Sequence, residues 1–399
     1  MENIGILISE KGAGIFQYGL SIADSLIKYS NKYNYKIVTH GFESFNWLTY
    51  TNTNSAYYVF IPNKKSSFKN KISKIKIIFN LVICNDFFNV QNKEVVSKIK
   101  KHQIKLLIAP YASLLGYNNK IPYIVSIPDI MHKYYPSFPE YPLKERIKRN
   151  IVYKNTSKHS IFTIVDSQQG GEDLDKFFGI PKEKIRIVSI MPAGYIYKYK
   201  NMSLEISESI LKKYNLPERF LFYPAQFWYH KNHIRLVKSL KFLKDFYNVK
   251  IYIVLVGSPK ESYKKIMNFI KKSDISNQII CLGYVSDEEI VALYKKAVAL
   301  VYPSLFGPTN IPPLEAMLLG TPVICSDLFS MPKHINGAGL LFNPFKVEDI
   351  AVKIYKIWTD KKLRQELIKK GYSRMKDVTM KEYAKQWEKI IDEALERIK

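Results

Sequence analysis

Glu315 stands alone among small and apolar residues in FGPTNIPPLEAMLLGTPVI, residues 306–324. A residue that precedes proline is pushed out of the α region. The spacing therefore predicts a helix that starts at Pro313, is capped by Pro312 and stops at Gly320 and Pro322. Glu315 then falls at the third helical position, where a glutamate ordinarily bonds back to the N–H of the cap residue. Pro312 has no N–H, so the carboxylate is left for another donor, and a pair of ligand hydroxyls suits it. The plainer alternative is a surface carboxylate that offsets the helix dipole. In FLFYPAQFWYHKNHIRLVKSL (220–240), Lys231 and Asn232 sit where a strand hands over to a helix, a place for a cation that faces a diphosphate. His230 and His233 form an H-x-x-H without a third ligand nearby, which packing or surface histidines explain better than a metal. Near the N-terminus, Gly12 and Gly14 in EKGAGIFQYGL would let backbone approach an anion. The third glycine is misplaced for a dinucleotide fingerprint, and no acid follows the second strand. A merely tight turn explains these glycines equally well. Asp173 and Asp175 form a D-x-D inside a helical pattern and are expected on solvated helix surface.

These residues need elements to hold them. Short apolar, β-rich runs recur at 4–9, 36–40, 57–61, 104–110, 123–127 and 160–165, then again at 219–224, 250–257, 278–283, 300–304 and 322–326. Amphipathic stretches such as 234–247, 260–273 and 287–297 lie between them. Strand runs apolar on both faces and separated by helices predict parallel α/β sheets. The double series predicts two doubly wound domains, each with its ligands at the carboxyl ends of its strands. The expected division is 1–195, 196–375 and a C-terminal helix at 376–399 that packs back on the first domain.

With 399 residues, 47% hydrophobic and 24% charged, the composition is globular. No apolar run reaches the ~18 residues of a membrane span, and the first residues do not resemble a signal peptide. Three isolated cysteines fit a reducing cytoplasm. Sixty-one Lys+Arg against 35 Asp+Glu give a net charge of +26, which favours anionic partners. Part of that excess is compositional bias, but residues 63–105 hold eleven lysines and two acids, and FKNKISKIKIIF mixes Lys with Ile and Phe. This predicts peripheral contact with an anionic membrane, with docking lysines at 69, 71, 74 and 76. No nucleic-acid module appears, and the aromatics sit in strand patterns rather than in basic stacking runs.

FGPTNIPPLEAMLLGTPVI resembles the donor-site motif of glycosyltransferase family 4, whose GT-B fold sets two Rossmann-like domains across a cleft. YPAQFWYHKNH, VDSQQGGEDLDKFFGIPKEKIRIV and PDIMHKYYPSF also resemble blocks of that family, in family order over nearly the whole chain. The resemblance implies a retaining, metal-independent enzyme that moves a sugar from a UDP- or GDP-linked donor to an acceptor hydroxyl in surface glycan or glycolipid assembly. The acceptor it implies is an anionic or lipid-linked glycan. It implies no cofactor beyond that donor substrate, and no metal. Glu315 would hold ribose hydroxyls and Lys231 the diphosphate. Gln226, Asn232, Thr309, Asn310 and Ile311 would complete the donor side. Gly12 and Gly14 would border the acceptor, and Asp129 and His132 would lie near the transferred sugar. The chain departs from the pattern at Gly307, where the first acid of E-x7-E would stand. It departs again at Ala225 and Gln226 in place of an arginine, and at Pro128 in place of a histidine. A nucleotide-sugar epimerase of the same fold and a non-catalytic sugar-binding scaffold are the competing readings.

Overall fold

The computed structural model describes residues 1–8, 14–40, 58–61, 71–84, 90–307 and 310–399, with backbone alone at 71–73. They form two compact units. The first comprises Met1–Tyr134, Leu143–Gly194 and Thr379–Lys399, and the second Tyr135–Pro142 and Tyr195–Val378.

The first unit is built on β1 (Asn3–Leu7), β2 (Asn34–His40), β3 (Tyr58–Ile61), β4 (Ile104–Ala109), β5 (Tyr123–Ser126), β6 (Phe162–Val165) and β7 (Ile185–Ile187). All pair in parallel, in the order β3-β2-β1-β4-β5-β6-β7. The second unit carries β8 (Leu221–Pro224), β9 (Ile253–Val256), β10 (Ile279–Gly283), β11 (Ala299–Tyr302), β12 (Val323–Ser326) and β13 (Leu340–Phe342). These are parallel too, in the order β10-β9-β8-β11-β12-β13. Central strands such as IVLV and ALVY are buried at every position, because helices cover both faces of each sheet. In each sheet the winding direction reverses once, between β1 and β4 and between β8 and β11. A crevice for a ligand opens at such a switch point.

The expected strands are all present, with ends shifted by a few residues, and two more stand beside them. The additional strands are β7 and β13, three residues each, at the edge of their sheets. Pairing on one side only lets an edge strand stay short, so neither makes an apolar run that stands out in sequence.

The C-terminal helix Met380–Glu396 belongs to the first unit and lies against the helix Gly14–Tyr29. It buries Tyr383 and Trp387 completely or nearly so, and its outer turns are tied by Lys32 to Asp392 (2.6 Å) and by Arg186 to Glu393 (2.9 Å).

Candidate active site

At the switch point of the second sheet, the carboxyl ends of β8 and β11 are joined by side chains. Lys231 Nζ donates to the Tyr302 hydroxyl at 2.8 Å, and that hydroxyl donates to Asn310 Oδ1 at 3.2 Å. Lys231 leaves a short turn after β8, Tyr302 is the last residue of β11, and Asn310 caps the helix that follows. Asn232, in the left-handed region at φ 59°, donates to the carbonyls of Pro303 (3.0 Å) and Pro344 (2.9 Å), which fixes the loop after β11. Gln226 takes a different part. Its amide donates to Ser258 Oγ at 2.8 Å and accepts from the Trp228 indole at 2.9 Å, binding the β8 loop to the β9 loop.

The helix after β11 runs Ile311–Leu318 with Asn310 as its cap, two residues earlier than its prolines suggest. The restriction before proline bears on both Ile311 and Pro312, but it disfavours the α region without forbidding it, and both residues are helical here. Glu315 consequently lies beyond the third position, and the capping argument built on Pro312 fails. Two prolines in the first turn also remove two of the N–H groups a helix start normally offers, leaving those of Ile311 and Leu314. The helix ends in a Schellman motif. The Gly320 N–H reaches Met317 O at 3.2 Å and the Thr321 N–H reaches Ala316 O at 2.8 Å, with Gly320 at φ +76°.

Glu315 is buried. Its Oε2 accepts from the Tyr294 hydroxyl at 2.8 Å and its Oε1 from the Tyr195 hydroxyl at 3.4 Å. Burial, then the charge of Glu315, holds the Tyr294 phenol well above its ordinary pKa, so it remains a donor at any working pH. Gly307 sits at φ +130°, and a Cβ there would lie 2.5 Å from the Asn310 side chain. A glutamate at that position would be strained in this backbone conformation and would crowd the Asn310 side chain. Thr309 and Gly12 lie outside the described residues.

Sequence reasoning missed the segment Tyr135–Pro142, which belongs to the second unit although it precedes it by fifty residues and more. Tyr135 meets Phe306 and Phe329 edge-on at 6.2 and 6.3 Å, and Phe138 meets Tyr229 at 4.9 Å. Glu140 Oε1 accepts from both the backbone N–H and the ring Nδ1 of His230, each at 2.9 Å. Burial pushes the Glu140 carboxyl up, but the two His230 bonds outweigh it and hold the pKa below the carboxylate norm. The density of aromatics in HKYYPSF was the available signal.

In the first unit, Asp129 precedes and His132 lies within a short helical turn (Met131–Tyr134) after β5. Asp129 Oδ1 accepts from the Met131 N–H at 3.1 Å and lies 3.8 Å from Arg149. His132 is 2% exposed, its Nε2 is 2.9 Å from Asn150 Oδ1, and Tyr153 meets its ring edge-on. Burial lowers its pKa against the opposing pull of the Asn150 bond, so the ring is neutral at pH 7. Gly14 opens the helix Gly14–Tyr29 with open space where a Cβ would stand. Asp173 is buried, not solvated. It accepts from Tyr134 at 2.6 Å and Gln169 at 3.0 Å, a bonding set that leaves no surface acid at that position. His233 stacks on Phe227 at 4.4 Å, and burial lowers its pKa to about 3. It is a packing residue. Among the described residues no three His, Cys, Asp or Glu side chains are grouped to share a metal ion.

Residues 207–374 match the family model described as glycosyl transferases group 1. The serotype-specific mannosyltransferase WbdA of Escherichia coli is 28% identical over 210 residues, 52% of this chain and 25% of that protein. The O-antigen chain mannosyltransferase B of Escherichia coli is 26% identical over 60% of this chain and 62% of its own length. The chain thus spans between a quarter and three fifths of the length of these curated relatives. Among solved structures, sucrose-phosphate synthase from Thermosynechococcus elongatus aligns with a TM-score of 0.75 at 17% identity over the full length of both chains. Anabaena HepE in complex with UDP and glucose aligns with a TM-score of 0.75 at 14% identity, over 98% of this chain and all of that one. The paired parallel sheets are those of the GT-B fold, and the body of the second unit, residues 207–374, carries the sequence pattern of the group 1 glycosyltransferases.

Proposed function

We propose that this chain is a retaining, metal-independent glycosyltransferase of family 4. In this reading it moves a hexosyl group from a nucleotide-sugar to a hydroxyl of an anionic or lipid-linked glycan at the cytoplasmic face of a membrane. The observation that carries the reading is the Lys231–Tyr302–Asn310 chain of hydrogen bonds at the β8/β11 switch point, inside the segment that matches the family model. When the bond from the anomeric carbon to the diphosphate breaks, negative charge grows on the departing phosphate oxygens. A fixed cation there stabilises the transition state more than the ground state. The two prolines that deplete the helix start of N–H donors place more of that duty on Lys231. The Tyr302 hydroxyl, itself held by Asn310, keeps its ammonium in place before substrate arrives. In the first unit, Asp129 is part-exposed after β5 and His132 is buried against Tyr153 and Asn150, so of the two it is Asp129 that a ligand can reach. Mannose is the first sugar to test, since the curated relatives are named as mannosyltransferases.

The reading is tested by thermal shift against UDP, GDP and their sugars, followed by product analysis with and without acceptor. A ligand at 100 times its Kd raises stability by about 2.7 kcal/mol. Sugar isomerised without acceptor would point to an epimerase, and ligand binding with no turnover to a scaffold.

Lys231→Ala is expected to weaken nucleoside diphosphate binding by roughly 10- to 100-fold while bare nucleoside binding changes little, as loss of a charge-assisted contact requires. Calorimetry with both ligands checks this, and equal losses would make Lys231 structural. Activity is expected to survive EDTA. Abolition by chelator with recovery on manganese or magnesium would overturn metal independence.

A further inference from the structure

The helix Lys71–Ile83 (KISKIKIIFNLVI) wears its apolar face outward. Ile75, Ile78, Phe79, Val82 and Ile83 are 65, 60, 45, 64 and 42% exposed, and their spacing puts all five on one stripe. The opposite side is turned to the protein. Asn80 is buried, Leu81 packs against the core, and the Leu81 carbonyl accepts from Asn155 at 2.8 Å. A helix in a soluble fold normally buries such a stripe, and a contiguous exposed one marks a surface meant to be covered. We propose that this stripe is a docking surface for an anionic lipid bilayer, entering the headgroup boundary with its axis in the membrane plane.

Charge selects the occupant. The helix contains three lysines and no acid, with Lys74 exposed beside the stripe. The neighbouring helix Leu143–His159, which supplies Asn155, has six Lys or Arg residues against one acid, Glu145. On it Lys144 and Lys148 recur at helical spacing with Asn155, the residue turned toward Leu81, and both are exposed. A partner that offers an apolar interior beneath negative charge matches both features. A second copy of this chain, at +26, would set lysines against lysines across the stripe. No helix among the described residues is long and apolar enough to cross a membrane, so the contact is one of lying on the surface. The inference rests on the membrane-peripheral part of the proposed function but not on its chemistry.

The full chain is mixed with sedimentable vesicles of phosphatidylcholine alone or with phosphatidylglycerol added. Expected is co-sedimentation with the anionic vesicles only, weakened but not abolished by high salt. Ile78→Asp with Val82→Asp should lower the partition at least tenfold, and Lys74→Gln should lower it less and only at low salt. Both sites are exposed, so an unchanged melting temperature certifies the fold. Val82→Trp gives a second readout, a blue shift of its emission on anionic vesicles. No binding of the unaltered chain at low salt, undiminished binding of the double variant, or a solution dimer that the double variant dissociates would each overturn the proposal. Transfer to a soluble acceptor by the double variant separates loss of docking from loss of catalysis.

Discussion

Glu315→Ala is expected to destabilise the protein by about 2–4 kcal/mol as well as to abolish donor use, whereas Glu315→Gln should keep most of the stability. The carboxylate is buried and accepts from two tyrosine hydroxyls, so truncation leaves the Tyr294 hydroxyl only a long contact to the Pro312 carbonyl at 3.5 Å and opens a cavity beside it. Adding Tyr294→Phe to Glu315→Ala should restore part of the loss, because it removes that poorly paired donor, and a double-mutant cycle measures that coupling. Nucleotide titrations separate the structural duty from the binding one. If Glu315 also receives ligand hydroxyls, Glu315→Gln lowers nucleotide affinity and Tyr294→Phe does not. Full activity in a folded Glu315→Ala protein would remove this residue from the site altogether.

Asp24, on the helix Gly14–Tyr29, is expected to cost stability as pH rises, opposing the buried His233 and His334, whose lowered pKa values cost stability as pH falls. Burial raises the Asp24 pKa to about 7, against a smaller downward pull from Lys28, and its Oδ1 has no hydrogen-bond partner among the described residues. The folded chain therefore takes up a proton that the unfolded chain releases near pH 3.8. The associated stability is fully present below about pH 4 and is lost as pH rises through 7. A shift of this size corresponds to on the order of 4 kcal/mol at pH 8. Asp24→Asn should raise stability at pH 8 by a comparable amount and leave it unchanged near pH 4. Chemical denaturation of both proteins at the two pH values checks this, and an Asp24→Asn variant no more stable than the unaltered chain at pH 8 would show that Asp24 carries no such penalty.

Most of the fold was legible in the chain, because both sheets rest on strands buried on two faces, and runs such as IVLV and LLIA carry no competing signal. What escaped had physical causes. β7 and β13 pair on one side only and need just three residues. The start of the helix at Ile311 escaped because the bias of a residue before proline is a preference and not a prohibition. Tyr302 and Tyr294 read as core aromatics, which they are, while their hydroxyls hold Lys231 and Glu315. The types and places of Lys231 and Asn232 followed from a strand end and a helix start, while Asn310 entered through the family resemblance. Which atoms they bond did not follow, because those partners come from elsewhere in the chain.

The division of the chain also bears on its birth. Residues 195–378 and the small segment 135–142 are threaded between pieces of the first unit, so the polypeptide passes from one unit to the other four times. A ribosome delivers Tyr383 and Trp387, which seal the helix Gly14–Tyr29, only after the whole second sheet has emerged. Until then the N-terminal sheet exists with one flank open. The second sheet must mature while the first unit is unfinished, and a gene cut near residue 195 yields two fragments that each lack a part encoded in the other.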